Sequence, residues 1–129
     1  MYLIDTDWII DYLDGRKAVV KEIQGKFGVN LNISIISLAE LYEGIYGSET
    51  FEEDERELNE FLSGVTVLEL TKDVCKKFGE LRNELRKRGE LIGDFDLIIA
   101  STVLQNNLTL LTGNTKHFKR IKGLKIGSS

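Results

Sequence analysis

The sequence predicts an α/β fold in which a parallel sheet is covered by helices on both faces. Short segments rich in Val, Ile and Leu alternate along the chain with longer segments whose apolar residues have helical spacing. Scattered glycines separate these segments, and proline is absent. The 129 residues include 42% hydrophobic residues, which suits one core of ordinary size. We therefore expect a single domain that covers residues 1–129.

The amino-terminal half is predicted to contain two strands and three helices. Residues 2–4 predict a short strand, and the helix that follows it is expected to end near Gly15. A second helix is expected over residues 18–27. Residues 31–36 are rich in β-branched side chains and predict the next strand. The helix after that strand is expected to carry Glu40 in its first turn.

The remaining elements continue the same alternation. Residues 51–62 predict an exposed acidic helix with a narrow apolar stripe, and residues 65–68 predict a strand. The clearest helix covers residues 72–88, because its apolar residues recur every three or four positions. The last elements are a helix over residues 94–106 and strands over residues 108–111 and 124–126.

Composition limits the classes of function that need to be considered. The single cysteine, Cys75, allows neither an internal disulfide nor a multi-cysteine zinc site. No apolar stretch approaches the roughly 20 residues that span a bilayer, and the amino terminus shows no basic leader before an apolar segment. We therefore expect a cytoplasmic protein that does not insert into a membrane.

Charge is divided unevenly along the chain. Residues 1–60 contain 5 Lys and Arg against 14 Asp and Glu, a net charge of −9, whereas residues 61–129 contain 12 against 7, a net charge of +5. The basic residues concentrate in segments 82–88 and 116–125. Either segment alone is typical of a solvated surface, but the two together flank an acidic position and favour a polyanionic ligand.

Three carboxylates are placed where the chain enters a helix: Asp5, Glu40 and Asp96. In a parallel sheet the carboxyl ends of the strands and the starts of the following helices meet at one edge, so we expect these side chains to lie together. Two like charges about 5 Å apart repel by roughly 3 kcal/mol at an effective dielectric constant of about 20. A hard divalent cation with oxygen ligands, such as Mg²⁺, would offset that repulsion, so the pattern predicts a metal site.

Several of these polar residues have a structural interpretation as well. Either Asp5 or Asp7 fits the N-cap of the first helix, and Asp94 fits the N-cap of a later one while remaining a candidate metal ligand. His117, the only histidine, lies in a basic polar segment and is expected to be a surface residue rather than a general base. The candidate residues for orienting the carboxylates are Ser37, Thr112 and Asn114.

Four segments, residues 2–7, 33–44, 96–100 and 111–114, resemble the successive motifs of PIN-domain ribonucleases, in particular the VapC toxins. The resemblance covers nearly the whole chain in the family's order. It implies a three-layer α/β/α sandwich with a parallel sheet of about five strands, a homodimer, and RNA cleavage that depends on Mg²⁺ or Mn²⁺. It also implies a VapB-like antitoxin partner that covers the acidic pocket.

On this resemblance, Asp5, Glu40 and Asp96 are the catalytic residues and bind the metal with help from Asp94. Asn114 occupies a position where the family often has a fourth carboxylate. The basic residues expected to contact the RNA backbone are Arg82, Arg86, Lys116, Lys119 and Arg120.

Two other functions fit parts of the sequence. The segment around Asp5 and Asp7 also resembles the first motif of haloacid-dehalogenase-like phosphatases, in which the first Asp is the nucleophile and the second a general acid. The chain is short for that family, and the acids of segment 93–96 are too closely spaced for its last motif. The second alternative is a non-catalytic protein-binding module that uses the acidic rim and the basic flank for association.

Overall fold

The computed structural model describes residues 1–28 and 30–127, and strands alternate with helices in these residues as the sequence predicts. The strands are β1 (Tyr2–Ile4), β2 (Leu31–Ser34), β3 (Thr66–Leu68), β4 (Thr109–Leu111) and β5 (Lys125–Ile126). The helices are α1 (Thr6–Leu13), α2 (Lys17–Gln24), α3 (Ile35–Tyr46), α4 (Phe51–Leu62), α5 (Lys72–Lys87), α6 (Asp94–Gln105) and α7 (Thr115–Phe118).

The five strands form one parallel sheet in the order β3-β2-β1-β4-β5. Strand β1 is central and pairs with β4 so that Ile4 lies opposite Leu111. From β1 the chain first builds the sheet towards β2 and β3 and later adds β4 on the opposite side. The carboxyl ends of β1 and β4 therefore lie at the point where the strand order reverses, which is the usual ligand position in such sheets.

The sheet separates two layers of helices, each with its own apolar core. Helices α1 to α4 pack on the face that carries Ile4, Ile33 and Leu111, and helices α5 to α7 pack on the face that carries Leu3 and Leu110. Neighbouring residues serve opposite cores because side chains alternate across a strand. The predicted three-layer α/β/α sandwich is confirmed.

The start of α3 differs from the prediction. The strand expected over residues 31–36 ends at Ser34, whose Oγ accepts a hydrogen bond of 3.0 Å from the backbone N–H of Ile36 and caps the helix. The helix therefore starts inside the β-branched run, and Glu40 lies in its second turn. The expectation that Glu40 lies in the first turn was wrong, because the cap at Ser34 ends the strand and begins the helix earlier than predicted.

Other boundaries also differ. The helix predicted over residues 18–27 is shorter, since α2 ends at Gln24 and turns lead to Gly28 at φ +90°. Asp94 is the first residue of α6, and Gly93 occupies the N-cap, so the capping role predicted for Asp94 was wrong. The short helix α7 was not predicted. Among the described residues, none of the helices is both long and apolar enough to span a bilayer.

Candidate active site

Asp5 lies at the centre of the carboxylate site and is firmly held. It follows β1, forms the N-cap of α1 and is 4% exposed. Its Oδ1 accepts a hydrogen bond of 2.8 Å from the backbone N–H of Thr6, and its Oδ2 accepts one of 2.6 Å from the hydroxyl of Thr112. Thr112 follows β4, which pairs with β1, so the sheet itself brings these two side chains together.

The surroundings of Asp5 oppose its ionisation. Burial is the largest cause that raises the pKa of Asp5, and the negative charges of Asp7 and Asp96 act in the same direction, so that the pKa lies at about 7. The hydrogen bonds from Thr112 and from the backbone of Thr6 act in the opposite direction, because they stabilise the charged carboxylate. A nearby cation would favour the ionised form, so this position suits a metal ligand.

Glu40 is connected to the same region by a line of hydroxyl groups. The Thr6 hydroxyl donates a hydrogen bond of 2.8 Å to Glu40 Oε1 and lies 2.8 Å from the hydroxyl of Ser37. Because the Thr6 hydroxyl has one proton, which goes to the carboxylate, Ser37 donates to Thr6. Ser37 is fully buried, and the bonds in this line therefore fix the orientation of the half-buried Glu40.

Asp96 approaches the site from the other helical layer and is held more loosely. It lies in the first turn of α6, and its side chain is 30% exposed. Its Oδ2 is 3.5 Å from Asn114 Nδ2 and 3.8 Å from His117 Nδ1. The backbone N–H of Asn114 donates to the same Thr112 hydroxyl that binds Asp5, and the charge of Asp96 is close enough to raise the pKa of Asp5.

Asp94 has a different partner from the other acids. Its Oδ1 lies 3.1 Å from Arg82 Nε of α5, and its side chain is 60% exposed. This contact joins the start of α6 to one of the arginines that the sequence predicts as an RNA contact.

The side chain of Asp7 connects α1 to the segment after β4. Its Oδ1 accepts a hydrogen bond of 2.7 Å from the backbone N–H of Trp8, and its Oδ2 accepts one of 3.1 Å from the backbone N–H of Gly113. Burial raises the pKa of Asp7, and the charge of Asp11 adds to the rise. A Cβ atom at position 113 would lie 3.1 Å from Asp7 Oδ2, so glycine permits this close approach.

The predicted donors have the chemistry that a hard divalent cation requires. Asp5, Glu40 and Asp96 offer carboxylate oxygens at one edge of the sheet. Within residues 1–28 and 30–127, however, no three His, Cys, Asp or Glu side chains are already grouped as a metal site. Instead, the Thr6 hydroxyl contacts Glu40, and the side-chain amide of Asn114 contacts Asp96. Binding of one cation by all three would therefore require at least one of these carboxylates to move.

The predicted RNA contacts differ in how available their charges are. Lys116 is exposed within α7 and Lys119 is exposed at its C-cap, while Arg86 is exposed on α5, where it donates to the Asn83 side chain. Arg120 donates instead to the backbone carbonyl of Leu91 at 3.1 Å, so part of its guanidinium group supports the protein itself.

Sequence reasoning missed three residues at this site. Thr6 was given no role, and Asp7 was interpreted as a cap or as the general acid of the phosphatase alternative. His117 was expected at the surface, where its side chain is 44% exposed, but its contacts with Asn114 and Asp96 were not predicted. One signal was available for Thr6, because a hydroxyl directly after Asp5 at a helix start is able to bond to other acids. For His117 the signal was its spacing of three residues from Asn114, which places two side chains on one face of a helical turn.

Comparisons with known proteins identify the family to which this fold belongs. Residues 2–124 match the family profile described as PIN domain. Ribonuclease VapC1 from Haemophilus influenzae is 35% identical over 127 residues, which cover 97% of this chain and 95% of the relative. The tRNA(fMet)-specific endonuclease VapC from Shigella flexneri is 32% identical over 127 residues, which cover 96% and 94%. The crystal structure of VapBC2 from Rickettsia felis, bound to a promoter DNA fragment, superposes with a TM-score of 0.91 at 32% identity and covers 98% of this chain and 96% of that one.

Proposed function

This chain belongs to the VapC family of PIN-domain ribonucleases, and from that premise we propose that it cleaves RNA phosphodiester bonds at the carboxylate site. The observation that carries the proposal is the buried Asp5, whose pKa is raised by burial and by the neighbouring charges of Asp7 and Asp96. Such a carboxylate at the carboxyl end of the central strand fits a cation-assisted hydrolase.

PIN-domain ribonucleases generally depend on divalent metal ions, and we propose Mg²⁺ or Mn²⁺ here. Asp5, Glu40 and Asp96 would hold the ion, because they supply hard oxygen donors at one edge. When bound, such an ion activates water for attack on the phosphodiester and neutralises charge that develops on the phosphoryl oxygens. We assign Asp94 to holding Arg82 rather than to the metal, since its Oδ1 is 3.1 Å from that guanidinium group.

The hydroxyl groups and Asp7 prepare the site for this chemistry. Thr112 holds Asp5 in a fixed orientation, and Thr6 does the same for Glu40. The Ser37 hydroxyl in turn holds the Thr6 hydroxyl through a hydrogen bond. Partners that orient metal ligands in this way commonly change affinity or activity by about 10- to 100-fold when they are removed. Asp7 binds the backbone at Gly113 and so keeps the segment after β4 next to Asp5.

RNA would be held through its backbone by the basic side chains around the site. Lys116 and Lys119 are exposed in α7 and at its C-cap, and Arg82 contacts Asp94 at the start of α6. Contacts of this kind position a nucleic acid without reading its sequence. The name of the Shigella relative suggests transfer RNA as the first substrate to test.

The direct test is cleavage of purified tRNA by the purified chain. We expect cleavage in millimolar Mg²⁺ or Mn²⁺, no cleavage in excess EDTA, and loss of cleavage in Asp5→Asn. The matched control is Asp14→Asn, the same chemical change at the exposed C-cap of α1, which should cleave as the wild type does. The ion should also raise the melting temperature of the wild type more than that of Asp5→Asn, because it binds only the folded site.

Three results would count against the ribonuclease assignment. Cleavage that persists in Asp5→Asn would show that the reaction does not require the Asp5 carboxylate. Trapping of a phosphorylated Asp5 would support the phosphatase alternative, although both Asp5 oxygens already accept hydrogen bonds. Failure to bind a divalent ion in calorimetry would support the protein-binding alternative.

We also propose that a VapB-like antitoxin covers the acidic helical layer. A cavity of about 270 Å³ lies between α1, α3 and α4, with an apolar wall that includes Ile10 and Leu41 and an acidic rim that includes Asp14, Glu40 and Glu57. A partner segment with apolar and basic side chains would match both features and would cover Glu40 of the site.

This partner proposal is tested with the product of the neighbouring reading frame. We expect that protein to form a complex with the chain and to inhibit RNA cleavage, and we expect Ile10→Asp to weaken the complex about tenfold or more. Ile10 is 45% exposed, and Leu70→Asp is the matched control because Leu70 is 42% exposed in the segment between β3 and α5. Equal binding by both variants would place the partner elsewhere. The homodimer stays a prediction that sedimentation measurements can check.

A further inference from the structure

Helix α7 brings the only histidine of the chain to the edge of the carboxylate site. His117 Nδ1 lies 3.1 Å from Asn114 Nδ2 and 3.8 Å from Asp96 Oδ2, and its side chain is 44% exposed. The mechanism proposed above gives this residue no role. It contacts the side chain of Asp96 and lies on the same short segment as two exposed lysines, Lys116 and Lys119.

The contacts of Asn114 define the tautomer of His117. The amide group of Asn114 turns its Nδ2 towards Asp96 Oδ2 at 3.5 Å, which is the orientation the carboxylate requires because an amide oxygen there would be repelled. The same NH₂ group then offers its second hydrogen to His117 Nδ1. Since NH₂ only donates, Nδ1 accepts, and the ring proton of the neutral imidazole is on Nε2.

The Nε2–H group is directed to solvent rather than to the protein. Among residues 1–28 and 30–127, no protein acceptor takes this hydrogen, and no buried side-chain nitrogen or oxygen lacks a partner. Nε2 is therefore reached by water. Lys116 and Lys119 are exposed nearby, and neither forms an ion pair within these residues. A free N–H donor on the same short segment as two exposed cations is suited to an anionic oxygen.

We propose that His117 donates a hydrogen bond from Nε2 to a phosphate oxygen of RNA that is bound at the carboxylate site. This inference rests on the proposed ribonuclease function and deepens it, since it assigns an RNA contact to a residue outside the metal ligands. Asn114 holds the ring so that the donor faces outward. His117 acts here as an RNA-contacting residue and not as a general base, because Nδ1 accepts from Asn114 and Nε2 already carries a proton.

Two substitutions separate this role from a purely structural one. In His117→Gln the side-chain amide nitrogen replaces the outward donor at Nε2, whereas in His117→Asn the side-chain oxygen replaces the inward acceptor at Nδ1. His117→Ala removes both. RNA binding should be measured by fluorescence anisotropy with labelled tRNA in the cleavage-deficient Asp5→Asn background, and kcat and KM should be measured in the otherwise wild-type protein.

We expect His117→Asn and His117→Ala to weaken RNA binding about tenfold and to raise KM by a similar factor, while kcat changes less than about threefold. We expect His117→Gln to stay within about threefold of the wild type in both measurements. The inference is overturned if His117→Asn behaves as the wild type while His117→Gln is impaired, because His117 would then act through Asn114. It is also overturned if all three variants bind RNA as tightly as the wild type.

These measurements distinguish the inference from the proposed function itself. If the wild type binds tRNA with the expected variant pattern but does not cleave it in Mg²⁺ or Mn²⁺, the RNA contact stands and the ribonuclease assignment fails. If the wild type cleaves tRNA and the three variants are unchanged, the assignment stands and the contact fails. Absence of RNA binding by the wild type overturns both.

Discussion

The two helical layers on either side of the sheet differ in charge and in how they hold the site. Helices α1 to α4 come from the part of the chain whose first 60 residues carry a net charge of −9, and helices α5 to α7 come from the part with a net charge of +5. The division along the sequence therefore becomes a division across the sheet. RNA is expected to approach the basic layer, and a basic partner the acidic layer.

The same two layers hold their carboxylates with different firmness. In the acidic layer, Asp5 and Glu40 accept hydrogen bonds of 2.6–2.8 Å from Thr112 and Thr6. In the basic layer, Asp96 is approached only at 3.5 Å or more by the side chains of Asn114 and His117. One half of the site is therefore preorganised, whereas the other half has room to adjust when ligands bind.

The largest expected effect is a difference in RNA cleavage between substitutions of two acids in the first turn of α6, Asp96 and Asp94. Asp96→Asn should lower kcat/KM for RNA cleavage by at least about 1,000-fold, because metal ligation supplies several kcal/mol to the transition state. Asp94→Asn makes the same chemical change two residues earlier and should cost only severalfold, since it breaks an exposed ion pair. Steady-state cleavage assays on both variants decide this, and equal losses would show that Asp94 is a ligand after all.

The next effect concerns the stability of the metal-free protein. Folding raises the pKa of Asp5 from 3.8 to about 7, so between these pH values the folded chain holds a proton that the unfolded chain has released. The contribution of Asp5 to stability is therefore highest below this window and falls as pH rises through it, by about 4 kcal/mol in total. Asp5→Asn lacks this titration and should become the more stable protein near neutral pH.

Denaturant unfolding in EDTA from pH 4 to pH 8 measures this difference. Asp14→Asn serves as the control, since its carboxylate is exposed. A stability gap between Asp5→Asn and the wild type that does not change with pH would show that the surroundings of Asp5 do not oppose its charge.

A smaller effect tests the preorganised half of the site. Thr6→Val removes the hydroxyl between Ser37 and Glu40 and should lower kcat/KM by about 10- to 100-fold. It should also cost about 1–3 kcal/mol of unfolding free energy, because the fully buried Ser37 hydroxyl loses its partner. Thr6→Ser keeps the hydroxyl and should restore most of the activity. Failure of this rescue would mean that the methyl group, not the hydroxyl, is needed.

The smallest effect tests the charge difference between the layers. Replacing Lys116 and Lys119 together by Ala should raise KM for RNA about two- to fivefold. The dependence of log K on log salt should become shallower by roughly 0.7 for each lost contact with a single strand. The matched double variant replaces Lys17 and Lys21 of α2, in the acidic layer, and should leave both quantities unchanged. Equal salt dependence in the two double variants would contradict an RNA path over the basic layer.

Much of the fold followed from local sequence. The strand over residues 2–4 and the helix over residues 51–62 have their predicted bounds, because apolar spacing and flanking polar residues act within a few positions. The start of α3 did not follow, since the β-branched run around residue 35 suits a strand as well as a helix and the hydrogen bond from Ile36 to Ser34 settles the boundary.

By itself the sequence determined the alternation of strands and helices, the position of Asp5 at the end of a strand and the uneven distribution of charge. The tertiary structure alone decided which side chains meet. In the folded chain, Thr112 donates a hydrogen bond to Asp5, which is 107 positions away in the sequence, and Thr6 donates one to Glu40, which is 34 positions away. Arg82 donates one to Asp94. The physical reason is range: local propensities act along a few residues, whereas these partners are set by strand order and by the packing of two helical layers on one sheet.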